Sequence, residues 1–192
     1  MKEFINKIGT FCFNRLAEFV GITIVASSIF LMISLISYSP EDPNFIFTDN
    51  TEIKNIMGSK GSFISDLLYQ SFGLIAFLIP FTFLFTGINI ILTKKFLIFI
   101  ENTFFSILYV IFGCLFFSAF YIDSYWLVIN GNNGFIGNLF DQTFILSFIQ
   151  NTAQISFYIL ILLISLIFLK SINFRISYII NIIKKIPLLF KR

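Results

Sequence analysis

Of 192 residues, 57% are hydrophobic and only 12% charged, with a mean hydropathy of +0.92. A soluble domain carries about 25% charged residues, so the surplus of apolar side chains calls for lipid rather than water as solvent. A net charge of +3 predicts no nucleic-acid partner, and the complete lack of histidine removes the commonest general base and metal ligand.

Residues 1–18 have helical periodicity. Phe4, Ile5, Ile8, Phe11, Cys12 and Leu16 share a face, and Glu3, Lys7, Thr10, Asn14 and Glu18 lie mostly opposite. This predicts an amphipathic helix in the headgroup region that runs into a first span. That span covers about 19–37 and carries no charge. At ~1.5 Å per residue it can cross a ~30 Å hydrocarbon layer. It is longer than a signal-peptide core and lacks a small-x-small site before Tyr38, so it is expected to stay uncleaved.

Pro40 turns the chain, because the residue before a proline avoids the helical region. Pro40–Lys60 reads as a polar loop, and Ser62 is placed to cap the next helix. The second span covers about 72–92, with Pro80 expected to kink it. Thr93-Lys94-Lys95 is short enough to make an antiparallel hairpin with a third span at about 96–122. A glycine- and asparagine-rich loop follows over Asp123–Asn138, and it reads as a turn rather than a phosphate cradle. Phe135–Gln150 overlaps the loop's end as an apolar, partly amphipathic interfacial segment. The fourth span covers about 151–169. Residues 170–192 form a basic amphipathic tail, expected as a second surface-lying helix interrupted at Pro187.

Charge asymmetry orients this path. Lys2, Lys7, Arg15, Lys94, Lys95, Lys170, Arg175, Lys184, Lys185, Lys191 and Arg192, eleven of the thirteen basic residues, fall on one side. Lys54 and Lys60 fall on the other. The positive-inside rule then predicts an all-α polytopic membrane protein: four transmembrane helices, both termini cytoplasmic, with amphipathic interfacial helices.

Chemistry is sparse. Glu18, Asp66, Glu101 and Asp123 sit near span ends, as interfacial anchors do, and no charge lies mid-span to line a transport path. Thr23, Ser27, Ser28, Ser34, Ser106 and Ser118 suit close helix approach, and Asn89 is the leading candidate for an interhelix hydrogen bond. Cys12 and Cys114 read as small apolar fillers. The sequence nominates no catalytic, cofactor-binding or metal-binding residue, and G-x-x-x-x-G-K-[ST] does not occur.

The segment Ser37-Tyr38-Ser39-Pro40-Glu41-Asp42-Pro43-Asn44-Phe45 resembles the exit from the first span in the amino-terminal four-helix membrane domain of the FtsK/SpoIIIE DNA translocases, Y-[ST]-P-x-D-P-x-[WF]. Asn55 to Leu68 resembles that family's N-x-x-G-x-x-G-[AS]-x-x-[AS]-D-x-L entry to the second span, and Phe72-Gly73-Leu74-Ile75-Ala76 continues it. Asn133-Gly134-Phe135-Ile136-Gly137 is similar to its G-G-x-[IV]-G, with Asn133 in place of the first glycine. The motif positions are Tyr38, Pro40, Asp42, Pro43, Asn55, Gly58, Gly61, Asp66, Gly73, Gly134 and Gly137.

The resemblance implies an anchor of a hexameric, ATP-driven DNA motor at the division septum of a bacterial inner membrane. It also implies self-association and contacts to division proteins. The sequence ends at Arg192 without motor residues, so the expectation is anchoring, septal targeting and assembly, with no direct nucleic-acid contact. The motor would then act as a separate chain or be missing. Rival readings are a small transporter or channel subunit and a generic membrane scaffold.

Overall fold

The computed structural model describes residues 2–43, 52–127 and 129–174, with side chains from Asn6 onward at the amino end. All described regular structure is helical. It comprises α1 (Lys2–Ile36), α2 (Gly58–Phe72), a 3-10 stretch (Gly73–Leu78), α3 (Ile79–Thr93), α4 (Leu97–Phe120), α5 (Gly134–Asn138), α6 (Phe144–Asn151) and α7 (Ala153–Ser171). Among the described residues, four stretches are long and apolar enough to cross a membrane: Asn6–Ile36, Gly58–Thr93, Leu97–Phe120 and Ala153–Ser171. The chain is thus an all-α membrane protein with four candidate spans. The basic tail beyond Phe174, with Pro187, Lys184 and Lys185, lies outside the described residues.

The spanning helices stand in a row. α1 packs on α3, α3 on α4, and α4 on α7. Lipid supplies no hydrophobic force between helices, so close approach and hydrogen bonds must hold them together. Gly21 and Gly87 let the α1 and α3 backbones meet. A Cβ on either would fall within 3 Å of the other's carbonyl oxygen, at 2.9 and 2.7 Å. Ser28 Oγ, fully buried, donates to the carbonyl of Pro80 at 2.6 Å. Glu18 on α1 bridges to Arg15 and to Lys94, and Lys94 ends α3 in the left-handed conformation.

A second set of bonds ties α7 to the α3–α4 hairpin, at the end of the row that carries the Lys94–Phe96 turn. We call this the terminal end, and the opposite one the loop end. Thr82 Oγ1 contacts the Tyr109 hydroxyl at 3.1 Å and Ser171 Oγ at 3.0 Å. Asn102 Nδ2 donates to Thr86 Oγ1 at 2.8 Å, and Asn173 Nδ2 donates to Asn102 Oδ1 at 2.7 Å. Asn102, not Asn89, therefore makes the interhelix bond. The Asn89 side chain has no hydrogen-bond partner among the described residues, although it follows Thr82 and Thr86 at helical spacing on the same face of α3.

Other expectations change as well. The break in the second span falls at Gly73, not at Pro80. Gly73 has φ +67 and ψ −152, a region essentially closed to side-chain-bearing residues, and the 3-10 stretch follows it. Pro80 lies in the first turn of α3, where its missing N–H is not needed, so it starts a helix rather than kinking one. Ser62 does not cap α2, which begins four residues earlier at Gly58; its hydroxyl donates to the carbonyl of Pro43 at 2.9 Å. Cys114 is buried and donates to the Phe72 carbonyl, whereas Cys12 is exposed and fills no gap in the fold. The amino-terminal helix, by contrast, runs into the first span as expected, with no break at Glu18.

α2 does not continue the line of α3. In line, Gly61 would lie ~18 Å beyond Gly73 at ~1.5 Å per residue. Instead a Cβ on Gly61 would touch Ser34 Oγ at 3.0 Å, and Tyr69 donates to the Leu35 carbonyl at 3.1 Å. α2 thus folds back across the end of α1 and forms the floor of the site described next.

Candidate functional site

The resemblance-derived positions converge at the loop end. Where α1 ends, Ser39-Pro40-Glu41-Asp42 makes a turn closed by the Asp42 N–H on the Ser39 carbonyl at 3.2 Å. Asp42 is buried, and its carboxylate accepts from the Lys54 and Asn55 backbone N–H groups at 2.8 and 2.9 Å. An aspartate fits because both oxygens find fixed donors and the charge is met by two amides rather than a cation. The exposed Glu41 pairs with the Lys54 ammonium. That hydrogen bond holds the Glu41 carboxyl below its usual range and raises Lys54.

Ser39–Asp42 and Lys54–Met57, held together by these bonds, form a strap that Asn55 pins to α1. Its Nδ2 donates to the Ser34 carbonyl at 2.9 Å, and its Oδ1 accepts from the Met57 N–H at 3.0 Å. Gly61 passes so close that a Cβ there would lie 2.4 Å from Asn55 Oδ1. Gly58 serves through its backbone alone: φ is +67 and open space surrounds it. Pro43 supplies the carbonyl that Ser62 uses, while Pro40 is exposed and only sets the turn.

Tyr38 and Asp66 link this strap to the rest. The Tyr38 hydroxyl donates to Asp66 Oδ1 at 3.1 Å, and Gln70 Nε2 reaches the same oxygen at 3.4 Å. Burial, followed by the Asp66 charge, pushes the Tyr38 phenol well above its ordinary value. Gln70 in turn accepts from Asn130 Nδ2, at 3.2 Å on its carbonyl and 3.1 Å on Oε1. The bonds therefore run without a gap from the first loop through α2 into the α4–α5 loop.

That second loop is fitted to the break after α2. The Leu74 N–H donates to the Asn132 carbonyl at 2.9 Å. Gly134, at φ +64, lies so near that its Cβ would be 2.4 Å from the Gly73 nitrogen. Asn133 is fully buried; its Nδ2 reaches Ser118 Oγ at 3.3 Å and Asn138 Oδ1 at 2.7 Å. Ser118 donates to the Gly137 carbonyl at 3.0 Å, and Gly137 has no room for a side chain against Asn133. Asn133 is where the sequence departs from the family's glycine, and here the departure is used as a bonding residue.

Tyr38 and Asp66 belong to the bonds that reach Asn130, Asp42, Pro43, Asn55 and Gly61 to the fastening of the first loop, and Gly73, Gly134 and Gly137 to the fitting of the second; Pro40 and Gly58 shape the chain beside them. Asn44 and Phe45 lie outside the described residues. Sequence reasoning missed Gln70 and Asn130 as bonding residues, whose partners are distant in the chain; it named Ser34 only for helix contact and Asn133 only as a departure from a glycine. Among the described residues no group of three or more His, Cys, Asp or Glu could hold a metal. What the arrangement offers is a rigid, hydrogen-bonded face with exposed apolar side chains at its rim, Ile56 at 72% and Tyr125 at 94% exposure, beside Trp126.

Comparison with known proteins bears out the family resemblance. The family described as the 4TM region of DNA translocase FtsK/SpoIIIE matches residues 14–180. The DNA translocase FtsK of Vibrio vulnificus is 41% identical over 69 residues, which cover 35% of this chain and 7% of that protein. The DNA translocase FtsK of Rickettsia prowazekii is 36% identical over 89 residues, 46% of this chain and 11% of that protein. That of Rickettsia typhi is 46% identical over 50 residues, 26% of this chain and 7% of that protein. The chain therefore spans only about a tenth or less of these relatives. No solved structure matches it. With the family match extending over most of its length, the chain belongs to the family of the 4TM region of DNA translocase FtsK/SpoIIIE.

Proposed function

We propose that this chain is the inner-membrane anchoring and assembly domain of an FtsK-like DNA translocase acting in cell division and chromosome segregation. The observation that carries the reading is the chain of bonds from Tyr38 through Asp66 and Gln70 to Asn130, which joins the two loops through α2 into one preformed face. In this reading the face lies outside the cytoplasm, since among the described residues Lys7, Arg15, Lys94, Lys95 and Lys170 belong to the terminal end and only Lys54 and Lys60 to the loop end. It meets division proteins there, and copies of the chain associate in the membrane. ATP hydrolysis and DNA pumping belong to motor residues that these 192 residues do not contain. The test is a fluorescent protein on the carboxy terminus, imaged in dividing cells. A band at midcell supports the reading, and uniform membrane fluorescence removes it in favour of a generic scaffold.

A further inference from the structure

We infer that the last turn of α7 is a load-bearing clamp, so that tension on the chain beyond Phe174 is delivered to the α3–α4 hairpin and not to α7 alone. α7 needs such a device. Its most apolar window is only 6% buried, and it packs mainly on α4. Because lipid matches its side chains, little apolar packing energy opposes its departure.

The polar bonds converge where a pull would enter. Ser171 Oγ donates to the Phe168 carbonyl at 2.7 Å, so its proton is spent there and it must accept from Thr82. The Tyr109 hydroxyl is then the donor to Thr82. A second relay runs from Asn173 Nδ2 to Asn102 Oδ1, from Asn102 Nδ2 to Thr86 Oγ1, and from Thr86 to the Thr82 carbonyl. Both relays end on Thr82, one from Ser171 in the final turn of α7 and one from Asn173 just past it. Thr82, Thr86, Asn102, Tyr109 and Ser171 are at most 1% exposed, so no water can take their place.

Asn173 has a double part. It is left-handed, at φ +53. Its N–H bonds the Lys170 carbonyl while the Phe174 N–H bonds that of Leu169, both at 3.0 Å. This is the Schellman end of a helix. The residue that stops α7 is thus also the residue that fastens it. Beside it Lys170 Nζ pairs with Glu101 Oε1 at 3.1 Å and lies over the Phe105 ring. Phe168 stacks edge-on against Tyr109, with centroids 5.6 Å apart.

The clamp rests on the anchoring reading for its purpose but not for its test. The full chain would be held by its amino terminus in lipid bicelles and pulled from its carboxy terminus in magnetic tweezers. The double variant Thr82→Val/Asn102→Leu should release α7 about tenfold faster at fixed force, from two or more lost interhelical bonds. Ser106→Ala, whose hydroxyl bonds only its own helix, should leave the rate unchanged. Asn173→Gly keeps the left-handed turn and removes one donor; it should accelerate release about threefold even if the double variant does not fold. Release of the double variant or of Asn173→Gly at the native rate overturns the clamp. Faster release together with uniform cellular fluorescence keeps the clamp and removes the division reading. Native release rates with a midcell band do the opposite.

Discussion

The carbonyl oxygen of Asn132 occupies the place a side chain on residue 73 would take, 1.9 Å from an ideal Cβ, and it accepts the N–H of Leu74. This contact locks the α4–α5 loop onto the break between α2 and α3. Gly73→Ala must both open that contact and hold an alanine at φ +67. We expect a loss of ~3 kcal/mol or more in chemical unfolding of the solubilised chain. A change under ~0.5 kcal/mol, the range of ordinary surface substitutions, would show that the two loops are not coupled there.

The Tyr38–Asp66 bond makes a pH prediction. The folded chain raises the Tyr38 phenol above its unfolded value of ~10. Its contribution is therefore whole below pH ~10 and fades as the pH climbs from there through the folded value. Tyr38→Phe should cost about 1–2 kcal/mol at neutral pH, from the lost bond to a carboxylate. It should also reduce the alkaline loss of stability. Identical alkaline slopes for the two proteins, measured by thermal unfolding from pH 8 upward, would remove Tyr38 from the network.

Orientation can be read chemically. With Cys12 and Cys114 replaced by alanine, cysteines would be placed at Tyr125, at the loop end, and Lys95, at the terminal end; both sites are exposed. A membrane-impermeant maleimide added to intact cells with a permeabilised outer layer should label the first and spare the second. The reverse pattern would invert the proposed topology.

The spans were readable because crossing lipid forces a long uncharged run on any helix that does it. The break was not. A proline in the first turn of a helix looks the same in sequence as one in the middle, and the conformation of Gly73 is set by Asn132, which lies far along the chain. Ser62 has the right chemistry for a cap, but Gly58 turns the chain into α2 first. Asn89 shares the Thr82–Thr86 face of α3, so face alone does not choose between it and Asn102; the partners do, Thr86 and Asn173. One signal could have found the second: Asn102, Ser106, Tyr109 and Gly113 recur at steps of four, three and four, one polar or small face of α4, matched by Thr82 and Thr86 on α3. The motif positions pointed to the loop-end face, yet the residues that join its halves, Gln70 and Asn130, belong to none of those motifs.

The central claim is that location at the division site depends on the loop-end face. The direct measurement is midcell fluorescence of the carboxy-terminal fusion, native against Asp42→Ala. That variant frees the Lys54 and Asn55 amides and should loosen the strap by about 1–3 kcal/mol while leaving all four spans in place. The account predicts a midcell band for the native chain and an even membrane outline for the variant at equal abundance. An even outline for the native chain, or an undiminished band for the variant, would contradict it.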